Sequence, residues 1–131
     1  MTGLDTNVLI RYLTQDDAIQ SPLAAQILEK RLSAANPGFI SVIVMAEMVW
    51  VLDRTYGWAA GEIAAAIERI LQVDTLLVEH EQEVFQAMLI LRAGRGGFAD
   101  ALIGSLGAKA GCSRTLTFDR QAARLPGFAL P

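Results

Sequence analysis

Apolar positions along the chain fall into short runs that alternate with longer stretches of helical spacing. Residues 2–4 read as a short strand, and residues 6–13 as a helix with Asp5 at its N-cap. Over residues 21–32, Leu23, Ala24, Ile27, Leu28 and Leu32 recur as one helix face. Asn36-Pro37-Gly38 breaks that helix, and Phe39-Ile40 forms a brief strand. Ser41 then caps the apolar segment VIVMAEMVWVL, which Tyr56-Gly57 closes, and residues 61–72 make a further amphipathic helix. TLLVE at 75–79 reads as a buried strand, with a helix over 81–91 behind it. Gly94, Gly96 and Gly97 form a flexible joint before a helix over 98–110. TLTF at 115–118 is a strand followed at once by Asp119 and a short helix, and residues 128–130 add an edge strand.

Short apolar strands alternating with helices predict an α/β fold with a central, mostly parallel sheet flanked by helices. The chain has 131 residues and shows no repeat, low-complexity tract or linker, so a single domain over 1–131 is expected.

That fold gives the acids a meaning. In an open parallel sheet, ligands bind beyond the carboxyl ends of the strands. Asp5 directly follows the first predicted strand and Asp119 a late one. Each also starts a helix, where a cap alone would explain it. Glu47 lies inside 42–52, where every other residue is apolar, and the pattern places it on a buried helix face. An ionised carboxylate there needs a cation, a proton or a route to water. Asp100 falls in the first turn of its helix, a place the helix dipole favours for an acid. Four such acids converging at one sheet edge would repel one another unless a divalent cation neutralised them. Mg²⁺ or Mn²⁺ suits such oxygen ligands. Asp5, Glu47, Asp100 and Asp119 are therefore the candidate catalytic and metal-binding residues.

Other chemistries lack their parts. One histidine and one cysteine leave no zinc site of several His or Cys ligands and no internal disulfide, and a reducing, cytoplasmic setting follows. The N-terminus has neither the basic nor the apolar region of a signal peptide, and no apolar run approaches membrane-spanning length. The G-x-G-x-x-A match at 94–99 follows a helix and not a strand, so it reads as a hinge loop. Trp50, Trp58 and the phenylalanines sit in apolar contexts that favour core packing over base stacking. The net charge of −3 is unevenly spread. From Arg92 to the end, six bases stand against Asp100 and Asp119 alone, a distribution compatible with a polyanion on one face.

LDTNVLIRYL at the start, the Glu inside SVIVMAEMVWVL, FADALI with Asp100, and GCSRTLTFDR near the end together resemble PIN-domain ribonucleases. The likeness is nearest to the VapC-type toxins of bacterial toxin–antitoxin pairs and spans nearly the whole chain. It implies a PIN-like fold, with Asp5, Glu47 and Asp100 as core acids and Asp119 as the fourth. Asn7 and Thr117 fall where the family has supporting polar groups. Where many relatives carry a further acid before the Phe of FAD, this chain has Gly97. The resemblance also implies an RNA substrate, a homodimer, and a small antitoxin whose C-terminal segment covers the acidic pocket.

The expected reaction is metal-dependent hydrolysis of an RNA phosphodiester, with Arg92, Arg95, Arg114 and Arg120 holding the RNA backbone. Two rival readings stand beside it. One is a Mg²⁺-dependent phosphohydrolase using Asp5 as nucleophile, although Asn7 stands where that scheme wants a second acid. The other is a non-catalytic module that grips RNA or resembles a receiver domain.

Overall fold

Asp5 and Ser41 each end a strand and start a helix. Asp5 caps α1 (Thr6–Thr14) with extended backbone, φ −85° and ψ 162°, and its side chain accepts from the Thr6 N–H. Ser41 caps α3 (Val42–Arg54) by accepting from the Val44 N–H at 3.2 Å. The computed structural model describes residues 1–131, which form two units, Met1–Glu81 and Gln82–Pro131.

The first unit holds β1 (Thr2–Gly3), α1, α2 (Gln20–Gln26), β2 (Gly38–Ile40), α3, α4 (Ala60–Gln72) and β3 (Leu76–Val78). Its three strands pair in parallel in the order β1-β2-β3, with Gly3 opposite Phe39 and Phe39 opposite Leu77. Parallel strands need crossovers, and the helices between the strands supply them. The helix expected over 21–32 proves to be α2 running into a π-turn, Ile27–Arg31. There the Leu32 N–H reaches back five residues to the Ile27 carbonyl at 3.2 Å. Ile40, Met45, Met48, Leu52, Ala64 and Ile67 are fully buried, so α3 and α4 each commit one face to the core.

The second unit contains α5 (Glu81–Arg92, whose first residue belongs to the preceding unit), α6 (Phe98–Lys109), β4 (Thr115–Leu116) and β5 (Phe128–Ala129). A 3₁₀ turn, Ala122–Arg124, connects the two strands. They too are parallel, Thr115 opposite Phe128 and Leu116 opposite Ala129. Val84, Ala87 and Met88 of α5 and Phe98, Ala101 and Leu102 of α6 are buried. Gly104 admits β5 closely: a Cβ there would stand 2.5 Å from the Phe128 ring.

The α/β class, with parallel strands flanked by helices, is as expected. The strands form two small sheets, of three and of two strands, where one central sheet was anticipated. The aromatic expectation is overturned at three positions. Trp50 is 59% exposed, Phe85 is 42% exposed, and Phe118, just before Asp119, is 90% exposed. Apolar neighbours in sequence alternate around a helix or across a strand, so they do not guarantee an apolar surrounding in space.

Candidate active site

In the first unit, one residue holds two of the candidate acids. The Thr6 N–H donates to Asp5 Oδ1 at 2.7 Å, and the Thr6 hydroxyl donates to Glu47 Oε1. Thr6 itself is buried, whereas Asp5 and Glu47 are exposed. Each carboxylate thus has one oxygen tied down and a second left over. The expectation of a buried Glu47 is corrected: Ile43 (75% exposed) and Trp50 share its solvent-facing side of α3. The buried stripe of that helix is Met45, Met48, Val49 and Leu52. Glu47 therefore has its route to water, and its need for a partner is met by the Thr6 hydroxyl.

Asn7 is placed differently. It lines a groove of about 200 Å³ with Val8, Arg11, Gln20, Leu23, Ala24 and Ile27, to which neither acid belongs. Another strand-end acid has a structural task. Glu79 follows β3 and accepts from the Val42 N–H at 3.0 Å, satisfying a free donor in the first turn of α3.

In the second unit, Asp100 is half-buried in the first turn of α6 and lines a cavity of about 230 Å³. Arg95, Gln121 and Arg124 line the same cavity. Gln121 was not singled out from the sequence, because it only precedes a three-residue 3₁₀ turn that leaves no periodic signal, whereas Arg124 is one of the six C-terminal bases. Asp119 sits in a tight loop after β4. Thr117 Oγ1 accepts from the Asp119 N–H at 3.0 Å, and Asp119 Oδ1 accepts from the N–H groups of Gln121 (2.8 Å) and Ala122 (3.3 Å). Thr117 thus holds the Asp119 backbone, while the Asp119 side chain caps the 3₁₀ turn. Arg92 ends α5, Arg114 precedes β4 and Arg120 follows Asp119; all three are exposed.

A model of the PIN domain family matches residues 4–127. The chain belongs to the PIN domain family. No curated protein and no solved structure matches it. PIN domains are generally nuclease domains, hence hydrolases, and PIN nucleases usually use divalent metals. No helix of this PIN domain is long and apolar enough to cross a membrane.

The donor chemistry fits such a metal. Asp5, Glu47, Asp100 and Asp119 offer only oxygen, and none of the four pairs with a lysine or arginine. The PIN domain has no ready-made cage of three or more Asp, Glu, His or Cys side chains. Mg²⁺ does not require one, since it is commonly held through one or two carboxylates and keeps several waters. Asp5 and Glu47, linked through Thr6, are such a pair.

Proposed function

We propose that this chain, a single PIN-like domain over residues 1–131, is a Mg²⁺- or Mn²⁺-dependent endoribonuclease. The observation that carries the reading is the Thr6 bridge, which fixes one oxygen of Asp5 and one of Glu47 while leaving the other oxygen of each open. Asp5 and Glu47 in the first unit, and Asp100 and Asp119 in the second, are the metal-binding acids of this reading. When bound, the ion would polarise the phosphate and make a bound water more acidic. Glu47, one oxygen held by the Thr6 hydroxyl, would offer the other as a ligand. Asp119, fixed by the Thr117 loop, adds negative charge without needing to move. The arginines Arg92, Arg95, Arg114 and Arg120 draw the RNA backbone toward the second unit. We further assign the chain to the VapC-type toxins of type II toxin–antitoxin pairs. In this reading it is cytoplasmic, homodimeric and silenced by a small antitoxin protein. The lone cysteine, Cys112, suits a reducing setting.

The test is cleavage of single-stranded RNA by the purified chain with Mg²⁺ or Mn²⁺. New RNA ends that vanish with EDTA and in Asp100→Asn are expected, while activity that survives both rejects the reading. Growth arrest on expression of the parent, absent in Asp5→Ala, tests the toxin assignment. Light scattering of the purified chain tests the dimer.

A further inference from the structure

The cavity that Asp100 lines carries more than an acid. Arg95 enters it from the glycine loop, and Arg124 with Gln121 from the 3₁₀ segment. Both guanidinium groups are exposed, and neither comes within 4.0 Å of a carboxylate, including that of Asp100 in the same cavity. They are therefore not spent on holding the fold together. Their spacing is set by backbone. A Cβ on Gly96 would meet Leu125 Cδ2 at 2.9 Å, so the loop next to Arg95 and the residue next to Arg124 are already in contact.

Charge points the same way. Residues 1–81 carry five bases against eleven acids, a net −6, whereas residues 82–131 carry six against three, a net +3. A local excess of positive charge attracts a polyanion whatever the chain's total. No aromatic side chain lines the cavity, so a base has nothing to stack on, while two guanidinium forks match phosphate oxygens.

We infer that this cavity is a phosphate-binding subsite, in which Arg95 and Arg124 together grip a backbone phosphate of an RNA strand beside Asp100. The inference rests on the nuclease reading for its ligand and adds Arg124 as a positioning residue. Because the contact is to phosphate, it fixes the strand without reading its sequence.

The test is binding of a short fluorescein-labelled oligouridylate in EDTA, followed by anisotropy across 50–200 mM salt, so that no cleavage is required. In Arg124→Ala, affinity should fall about three- to ten-fold. The slope of log affinity against log salt should flatten by about 0.7 per arginine removed, and by about twice that in Arg95→Ala/Arg124→Ala. Arg124→Lys should restore the slope but not all of the affinity, since it keeps the charge and loses the fork. Parent-like affinity and slope in the double variant would overturn the inference, even if the chain cleaves RNA. Loss of binding to an acidic peptide alone, with oligouridylate unaffected, would overturn it in favour of a protein ligand. An arginine-dependent slope in a chain that never cleaves RNA would uphold the subsite and reject the nuclease.

Discussion

The hydroxyl of Thr6 donates to the carboxylate of Glu47, joining the first turn of α1 to the middle of α3 across 41 positions of sequence. The donor is buried and the acceptor exposed, so the bond aims an otherwise mobile glutamate. Thr6→Val keeps the shape and removes the donor. We expect RNA cleavage to fall about 10–100-fold, the range typical of losing a partner that orients a metal ligand. Stability should change by only about 1 kcal/mol. Thr6→Ser retains the hydroxyl and should restore most of the rate. Single-turnover cleavage and urea unfolding of the three proteins separate the two effects. A rate loss in Thr6→Val no larger than its stability loss explains would remove the bridge from the mechanism.

Gly104 and Phe128 make a second relationship that a double variant can probe. An added methyl at 104 would press on the ring of β5, so Gly104→Ala should lower stability by about 1–3 kcal/mol. Shrinking the ring in Gly104→Ala/Phe128→Leu should recover part of the loss, giving a non-additive cycle. Additive losses in thermal melts would show that the two do not meet.

What the sequence revealed and what it hid divide along physical lines. The caps Asp5 and Ser41 were legible because a capping oxygen acts on N–H groups within three residues. The strands were legible as short apolar runs, though their division into sheets of three and two was not, because pairing is a long-range property. The π-turn was hidden, since Ile27, Leu28 and Leu32 keep a spacing that a regular helix also satisfies. Glu47 misled for a related reason. Eleven residues with one acid look buried all round, yet Ile43 and Trp50 face solvent beside it. Asp5 and Glu47 could be named as candidates in advance, but Thr6 as the connector of these two could not, because only the fold sets α1 beside α3.

Acid should weaken the first unit in a defined window. Hydrogen bonds from Thr14 and Tyr56 hold the Asp16 carboxyl below its ordinary value, and the N–H groups of Gln20 and Ile19 do the same for Asp17. A depressed folded value means that the unfolded chain takes up protons first. The stabilisation is therefore complete above the unfolded value of about 3.9 and is lost as pH falls through the folded values. Melting temperature should hold between pH 7 and about pH 5 as far as these two groups are concerned, then decline. In Asp16→Asn/Asp17→Asn the decline should be shallower. An unchanged acid slope in that variant would assign the loss to other carboxylates.

Asp119 carries two tasks that substitution can separate. Its Oδ1 caps the 3₁₀ turn through Gln121 and Ala122, which an asparagine oxygen can also do, whereas its charge is what a divalent cation would need. Asp119→Asn should therefore melt within a degree or two of the parent and yet lose most of its metal-dependent cleavage, with Mn²⁺ required at higher concentration. Asp119→Ala should lose cleavage and, in addition, about 1 kcal/mol of stability as the turn's donors go unpaired. Titrating Mn²⁺ against cleavage rate for both variants, beside their melting curves, distinguishes a ligand from a cap. If Asp119→Asn cleaves like the parent, the aspartate is a structural cap and not a metal ligand.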